Sequence, residues 1–292
     1  MINKPVKSIG IIVKPKSPHA PEAASRVVEW GKKNGVEILV DRTTGKLIKE
    51  KGVEHTTLLD SVDVLIILGG DGTLLSSARM ATSHSVPLLG VNLGSLGFIT
   101  EVANDEMERA LDKLKIGDFD IENRMMVNVT VESDKDSLQR VALNDVVLSR
   151  KNIAKMIELS ITVNKEYVTD YKADGLIISS PTGSTAYALS TGGPILYPTL
   201  DALVICPICP HTLSNRPLVV PGNFVIEVDL HDGQESIIAT LDGQESIDIQ
   251  EHDHLTISCS DKITRLIKVP GRTHFDTLRS KLGWGGSSKP NG

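Results

Sequence analysis

VDVLIILGGDGT, Val62–Thr73, is the stretch on which the fold turns. Apart from Asp63 its first seven residues are apolar, the pattern of a strand covered on both faces, as in a parallel sheet flanked by helices. Gly69-Gly70-Asp71-Gly72-Thr73 follows where that strand ends, and helical spacing resumes over Thr73–Ser83. An open α/β sheet gathers its ligands outside the carboxyl ends of the strands. Glycines without Cβ atoms let a phosphate chain approach the backbone, and Gly72 admits a tight or left-handed turn. Amides at the helix start, with the positive end of the helix dipole behind them, face any anion held there. An acid among such groups is costly unless it has a task. Asp71 has three open to it: taking a proton from an attacking hydroxyl, helping to hold Mg²⁺, or capping the helix.

Outward from this stretch the first third alternates strand and helix. Ile9–Val13 is a β-branched run. Pro21–Lys33 is helical, with Ala24, Val27 and Val28 on one face and Gly35 as its stop. Val36–Val40 and Val86–Val91 read as strands, and Asp105–Leu114 as a helix. Such a βαβ series predicts an open Rossmann-like α/β domain over residues 1–117.

After Gly117 the texture changes. Met126–Glu132, Arg140–Ser149, Met156–Val163, Leu176–Ser180, Leu203–Ile208, Phe224–Leu230, Ser236–Leu241, Ile247–Ile249 and Leu255–Ser258 are short Val- and Ile-rich runs separated by turns. That spacing predicts a larger all-β, sandwich-like domain over residues 118–270. DGQES occurs twice, at Asp232–Ser236 and Asp242–Ser246, and Asp-Gly hairpin turns account for both copies. Residues 271–292 are expected to return to the first domain, with a helix over Phe275–Leu282 and a flexible tail from Gly285.

The composition removes several function classes. The chain carries 31 basic and 37 acidic side chains, a net charge of −6, which argues against a partner bound through a phosphate backbone. Aromatic residues are only 3%, too few for the stacking platforms of a single-strand binder. No apolar run approaches the roughly 20 residues of a membrane span, and MINKPVKSIGIIVK lacks a signal-peptide core. The expected location is the cytoplasm, with neither nucleic acid nor membrane as partner. Cys206 and Cys209 form a C-x-x-C, but ALVICPICPH is an apolar strand broken by prolines. Small buried thiols are favoured there over a redox pair or half a zinc site.

The P-loop, the G-x-G-x-x-G turn, the protein-kinase signatures, the H-E-x-x-H helix and the G-x-S-x-G elbow are all absent. Two further elements accompany the glycine loop. Ser180-Pro-Thr-Gly-Ser-Thr-Ala-Tyr187, continuing through Ala188, Leu189 and Ser190 to Gly192-Gly193-Pro194, is rich in small hydroxyl residues that can wrap a nucleotide closely. A loop of this length inside a β domain is more often functional than idle. Asn144-Asp145, at a strand, can hydrogen-bond the vicinal hydroxyls of a ribose, although taken alone the pair is better explained as a solvated strand edge.

Taken in order, G-G-D-G-T, the Asn144-Asp145 pair, S-P-T-G-S-T-A-Y, PHTLSNRPLV at Pro210–Val219, D-G-Q at Asp242–Gln244 and the closing FDTLRSKLGW resemble the bacterial NAD kinase family over nearly the whole chain. Lipid kinases share only the first motif, and their G-T-G-N-D-like second motif is missing here. The resemblance implies Mg²⁺-dependent transfer of the ATP γ-phosphoryl group to the 2′-hydroxyl on the adenosine ribose of NAD, giving NADP. It makes Asp71 the proton acceptor, with Gly69, Gly70, Gly72 and Thr73 as the phosphate loop, and Mg²⁺ carried on ATP rather than held by the protein. It places Asn144 and Asp145 on the ribose and Thr185, Ala186, Tyr187, Ala188, Leu189 and Ser190 on the adenine side. It adds Asp174 toward the nicotinamide and Gln244 as a further contact. Lys155 and Lys172 fall where some relatives have His and Arg, and Lys does not reproduce a bidentate Arg. The family's habit implies a homodimer or homotetramer.

Overall fold

The computed structural model describes residues 4–133, 136–151, 156–212, 214–231 and 237–284. The chain forms two compact units: Met1–Asn123 with Thr264–Gly292, and Arg124–Ile263.

The first unit opens with β1 (Ser8–Val13), α1 (Ala20–Asn34), β2 (Glu37–Val40), α2 (Arg42–Ile48), α3 (His55–Ser61), β3 (Val64–Leu68), α4 (Asp71–Ala81), β4 (Leu88–Asn92), a short β5 (Val102–Ala103) and α5 (Met107–Ile116). Each helix follows from local chemistry. Pro21 sits in the first turn of α1, Ala23, Ala24, Val27 and Val28 are buried along one face, and Gly35 ends the helix in a left-handed C-cap. The Asp41 carboxylate accepts from the Thr43 and Thr44 amides and starts α2. All five residues of β3 are buried, as a central parallel strand requires. β3 pairs in parallel with β1 on one side and β4 on the other, and β1 pairs in parallel with β2. This is the α/β sheet expected from the sequence, with the Gly69–Thr73 loop at the carboxyl end of β3.

The second unit is built from β6 (Asp120–Glu132, entering at Arg124), β7 (Ser137–Ala142), β8 (Asp145–Arg150), β9 (Ile157–Val163), β10 (Glu166–Ala173), β11 (Gly175–Ser179), the four-residue α6 (Tyr187–Ser190), β12 (Ala202–Ile208), β13 (Leu218–Pro221), β14 (Ile226–Leu230), β15 (Ile237–Leu241), β16 (Glu245–Ile249) and β17 (His254–Lys268, up to Ile263). One sheet runs β13-β12-β11-β8-β15-β16, antiparallel throughout. The other places β10, β9, β14 and β17 side by side, also antiparallel. Strict alternation on β9 sends Ile157, Leu159, Ile161 and Val163 into a core shared with Val146, Leu148, Leu176, Ile178, Ile237 and Ala239 of the first sheet. The unit is a β sandwich. From Thr264 β17 belongs to the first unit, where Leu266 pairs in parallel with Leu88, and α7 (His274–Leu282) follows. No helix of the described residues is long and apolar enough to cross a membrane.

Several expectations change. Arg140–Ser149 is not one strand; β7 and β8 are separated at Leu143-Asn144. β10 has no counterpart among the expected strands, because most of its side chains are exposed and it lies at a sheet edge. β17 runs well past Ser258, since Ser260-Asp261-Lys262 interrupts its apolar pattern without ending the strand. Of the C-x-x-C pair only Cys206 is buried, and burial pushes its thiol up to about 11; Cys209 is exposed. The first DGQES copy and the tail from Gly285 lie outside the described residues.

Ile66 of β3 is fully buried in the first unit's core. Ile66→Ala is expected to cost about 2–5 kcal/mol of folding free energy. Both tryptophans, Trp30 and Trp284, belong to this unit, so urea titration followed by Trp fluorescence reads it. A loss well below 1 kcal/mol would contradict the placement of β3 at the centre of the sheet.

Candidate active site

In the first unit the chain leaves β3 through Gly69 and Gly70 and enters α4 at Asp71. Gly70 is the N-cap residue, and no side chain caps the helix. Asp71 therefore does not cap α4. Its carboxylate turns instead to the segment that follows β4. Oδ2 accepts from the Phe98 amide at 2.8 Å, while Oδ1 accepts from the Thr100 amide at 3.0 Å, the Thr100 hydroxyl at 2.7 Å and the Ile99 amide at 3.3 Å. A Cβ on Gly97 would stand 1.9 Å from Oδ1, so the loop approaches the carboxylate only because residue 97 is glycine. Gly69, Gly70 and Gly72 all keep φ outside the left-handed region. Of the tight or left-handed turn that Gly72 admits, the left-handed form is not adopted: Gly72 stands in the first turn of α4, where the positive end of the helix dipole lies.

In the second unit Asn144 and Asp145 occupy the bend between β7 and β8, and its cause is Asp242. The Asp242 carboxylate accepts from the amides of Leu143 at 3.1 Å, Asn144 at 2.7 Å and Asp145 at 3.4 Å, which takes these groups out of the strand ladder. Asp242 itself, at φ +50, begins an Asp-Gly turn between β15 and β16 closed by the Gln244 amide on the Leu241 carbonyl. The other side of the bend is tied to the small-residue loop. The Asn144 carbonyl accepts from the Ser180 amide at 2.8 Å, and the Leu143 carbonyl accepts from the Ser180 hydroxyl at 2.5 Å. A Cβ on Gly183 would lie 2.1 Å from the Asn144 carbonyl oxygen, so this loop also closes on a glycine. Arg124, only 2% exposed, donates to the Thr182 hydroxyl from below the loop.

Asn144, Asp145, Gln244 and the loop bearing Thr185, Ala186, Tyr187, Ala188, Leu189 and Ser190 are thereby gathered in one part of the sandwich. Tyr187 and Ser190 are exposed, whereas Ala188 is buried against Val204 and Cys206. Lys172 and Asp174 are not part of this group. Gly175, next to Asp174, pairs with Ser149, while Ser179 at the other end of β11 pairs with Asp145, a separation of about 14 Å along the strand. Lys172 is committed to an ion pair with Glu158. Lys155 lies outside the described residues. Sequence reasoning quoted Asp242 in the D-G-Q motif but missed its hold on the Leu143–Asp145 amides, and it missed the Phe98–Thr100 segment altogether. Their only signal was an acid at a hairpin turn and a Gly-rich run, GSLGFIT, after an apolar strand.

The titration of this part of the sandwich is distinctive. Burial, and then the neighbouring Asp242 carboxylate, push the Asp145 carboxyl up to about 7. Among the described residues no group of three or more His, Cys, Asp or Glu side chains is placed to hold a metal ion.

Residues 9–119 match the ATP-NAD kinase N-terminal domain and residues 143–269 the ATP-NAD kinase C-terminal domain. The NAD kinase of Geotalea daltonii is 42% identical over 282 residues, covering 96% of this chain and 99% of that one. The chain belongs to the NAD kinase family. The enzyme is thus a phosphotransferase, and both halves of the NAD kinase fold have solved counterparts. Yeast NADH kinase complexed with NADH superposes with a TM-score of 0.85 at 26% identity, over 99% of this chain and 91% of its own. The NAD kinase of Archaeoglobus fulgidus in complex with ATP gives 0.74 at 26% identity, over 94% and 97%.

A carboxyl raised in the folded state favours folding most at low pH, and that contribution is lost as pH rises through the folded value near 7. Asp145→Asn removes the ionisation. The thermal midpoint of the variant relative to wild type is expected to rise between pH 5 and pH 8. A constant difference across that range would show that Asp145 does not titrate there.

Proposed function

We propose that this NAD kinase transfers the γ-phosphoryl group of ATP to the 2′-hydroxyl on the adenosine ribose of NAD, yielding NADP and ADP, with Asp71 as the proton acceptor. The observation that carries this reading is the Asp71 carboxylate, fixed by four donors at the mouth of the glycine loop. Of its two oxygens, Oδ1 is engaged three times and Oδ2 once, so Oδ2 retains room for a hydroxyl. In the step, the 2′ O–H bond breaks and its proton passes to Oδ2. The 2′ oxygen bonds to the γ-phosphorus, and the bond from that phosphorus to the β-phosphate oxygen breaks with its electron pair leaving on ADP. Phosphoryl transfer asks mainly for alignment and charge stabilisation, which suits a site made of amides and small side chains.

ATP would enter as its magnesium complex, and Mg²⁺ held by the nucleotide rather than by protein side chains would supply charge neutralisation during transfer. Gly69, Gly70, Gly72 and Thr73 receive the phosphates at the start of α4. Asn144 and Asp145 grip the ribose hydroxyls. Thr185, Ala186, Tyr187, Ala188, Leu189 and Ser190 line the adenine, with Gln244 as a further contact and Asp174, Lys155 and Lys172 on the nicotinamide side. The donor and acceptor classes are supported by the ATP complex of the Archaeoglobus enzyme and the NADH complex of the yeast enzyme. Assembly as a homodimer or homotetramer and a cytoplasmic location complete the proposal.

Asp71→Asn is expected to lower turnover by about 10²–10⁴-fold, the usual contribution of a positioned base. Binding of NAD and ATP, measured by calorimetry on the folded variant, should stay near wild type. Turnover within a few-fold of wild type would remove Asp71 from the role of base.

A further inference from the structure

An aspartate carboxylate has two chemically equivalent oxygens, and nothing in the G-G-D-G-T motif says which of them receives a proton. The surroundings of Asp71 break that symmetry. Asn92, at the end of β4 and 5% exposed, accepts the Gly94 amide on Oδ1 at 2.8 Å, which orients its side-chain amide. The Asn92 Nδ2 then donates to the Thr100 hydroxyl at 2.8 Å, and that hydroxyl donates to Asp71 Oδ1 at 2.7 Å. Thr100 is fully buried and seated on bare backbone: a Cβ on Gly90 of β4 would come within 2.9 Å of Thr100 Cγ2 and 3.0 Å of its Cα. A hydroxyl has one hydrogen. Because Thr100 accepts from Asn92, that hydrogen is left for Oδ1, which the amides of Thr100 and Ile99 also address. A proton arriving on Oδ1 would meet three donors, whereas one arriving on Oδ2 meets only the Phe98 amide.

We propose that Asn92 and Thr100 are positioning residues whose directed relay, Asn92 to Thr100 to Asp71 Oδ1, reserves Oδ2 as the oxygen that takes the proton. This rests on the reading of Asp71 as base. The relay lies wholly within the first unit, and neither Asn92 nor Thr100 is among the nucleotide contacts assigned above. Its loss is therefore felt in turnover rather than in substrate affinity. Valine in place of Thr100 keeps the volume and removes the donor; serine keeps the donor.

The test measures kcat and KM for NAD and ATP in Thr100→Val, Thr100→Ser, Asn92→Ala and Asp71→Asn, with thermal midpoints to confirm folding. Thr100→Val is expected to lower kcat about 10-fold or more, the effect of deleting one hydrogen bond to a charged group, with both KM values within about twofold. Thr100→Ser should recover most of the loss. Asn92→Ala, which frees the hydroxyl to rotate, should lower kcat in the same direction and serves if Thr100→Val does not fold. Wild-type kcat in Thr100→Val, or equal impairment in the valine and serine variants, overturns the relay. If Asp71→Asn is impaired while Thr100→Val is not, only the relay falls. If Asp71→Asn keeps its turnover, the base assignment falls and the relay with it.

Discussion

Three consecutive backbone amides converging on one aspartate carboxylate is the constraint from which this enzyme's chemistry is built. A partly buried anion is tolerated only when donors replace its lost hydration. Asp71 finds them in Phe98, Ile99 and Thr100, with the Thr100 hydroxyl as a fourth. The attraction works in both directions: the carboxylate is fixed at the carboxyl end of β3, and the segment after β4 is drawn into a loop that only glycine at position 97 lets close.

The same device recurs in the β sandwich. Asp242 collects the amides of Leu143, Asn144 and Asp145, breaks one expected strand into β7 and β8, and presents Asn144 and Asp145 on the bend. Here too a glycine, Gly183, makes room where the neighbouring loop meets the Asn144 carbonyl. Two aspartates acting on backbone, rather than long cationic side chains, set the geometry of both units. This answers the problem posed by a net charge of −6 in an enzyme whose proposed substrates are polyanions. On the proposed reading neutralisation is local, by backbone amides and the α4 dipole, with Mg²⁺ brought by ATP.

What the sequence made legible follows the range of each interaction. α1 and β3 were readable because Pro21, Gly35 and an unbroken apolar run act within a few residues. The alternating strands of the sandwich were readable for the same reason. The bend at Asn144 was not, because the acid that causes it stands 98 residues away, and a Val-rich run on either side looks continuous. Asp71 stood out in the motif, but its partners lie 27 to 29 residues downstream, so the alternative of a local helix cap could not be dismissed from the motif alone. β10 escaped because an exposed edge strand need not be apolar.

The central claim is that the hydroxyl delivered to Asp71 is the 2′-hydroxyl of the adenosine ribose. Phosphorus NMR of the wild-type enzyme incubated with NAD, ATP and Mg²⁺ tests it most directly. The expected spectrum gains one phosphomonoester, coupled to the H2′ proton of the adenosine ribose, with an equal amount of ADP. A phosphomonoester at another position, or ATP consumed with no phosphorylated dinucleotide formed, would contradict the account.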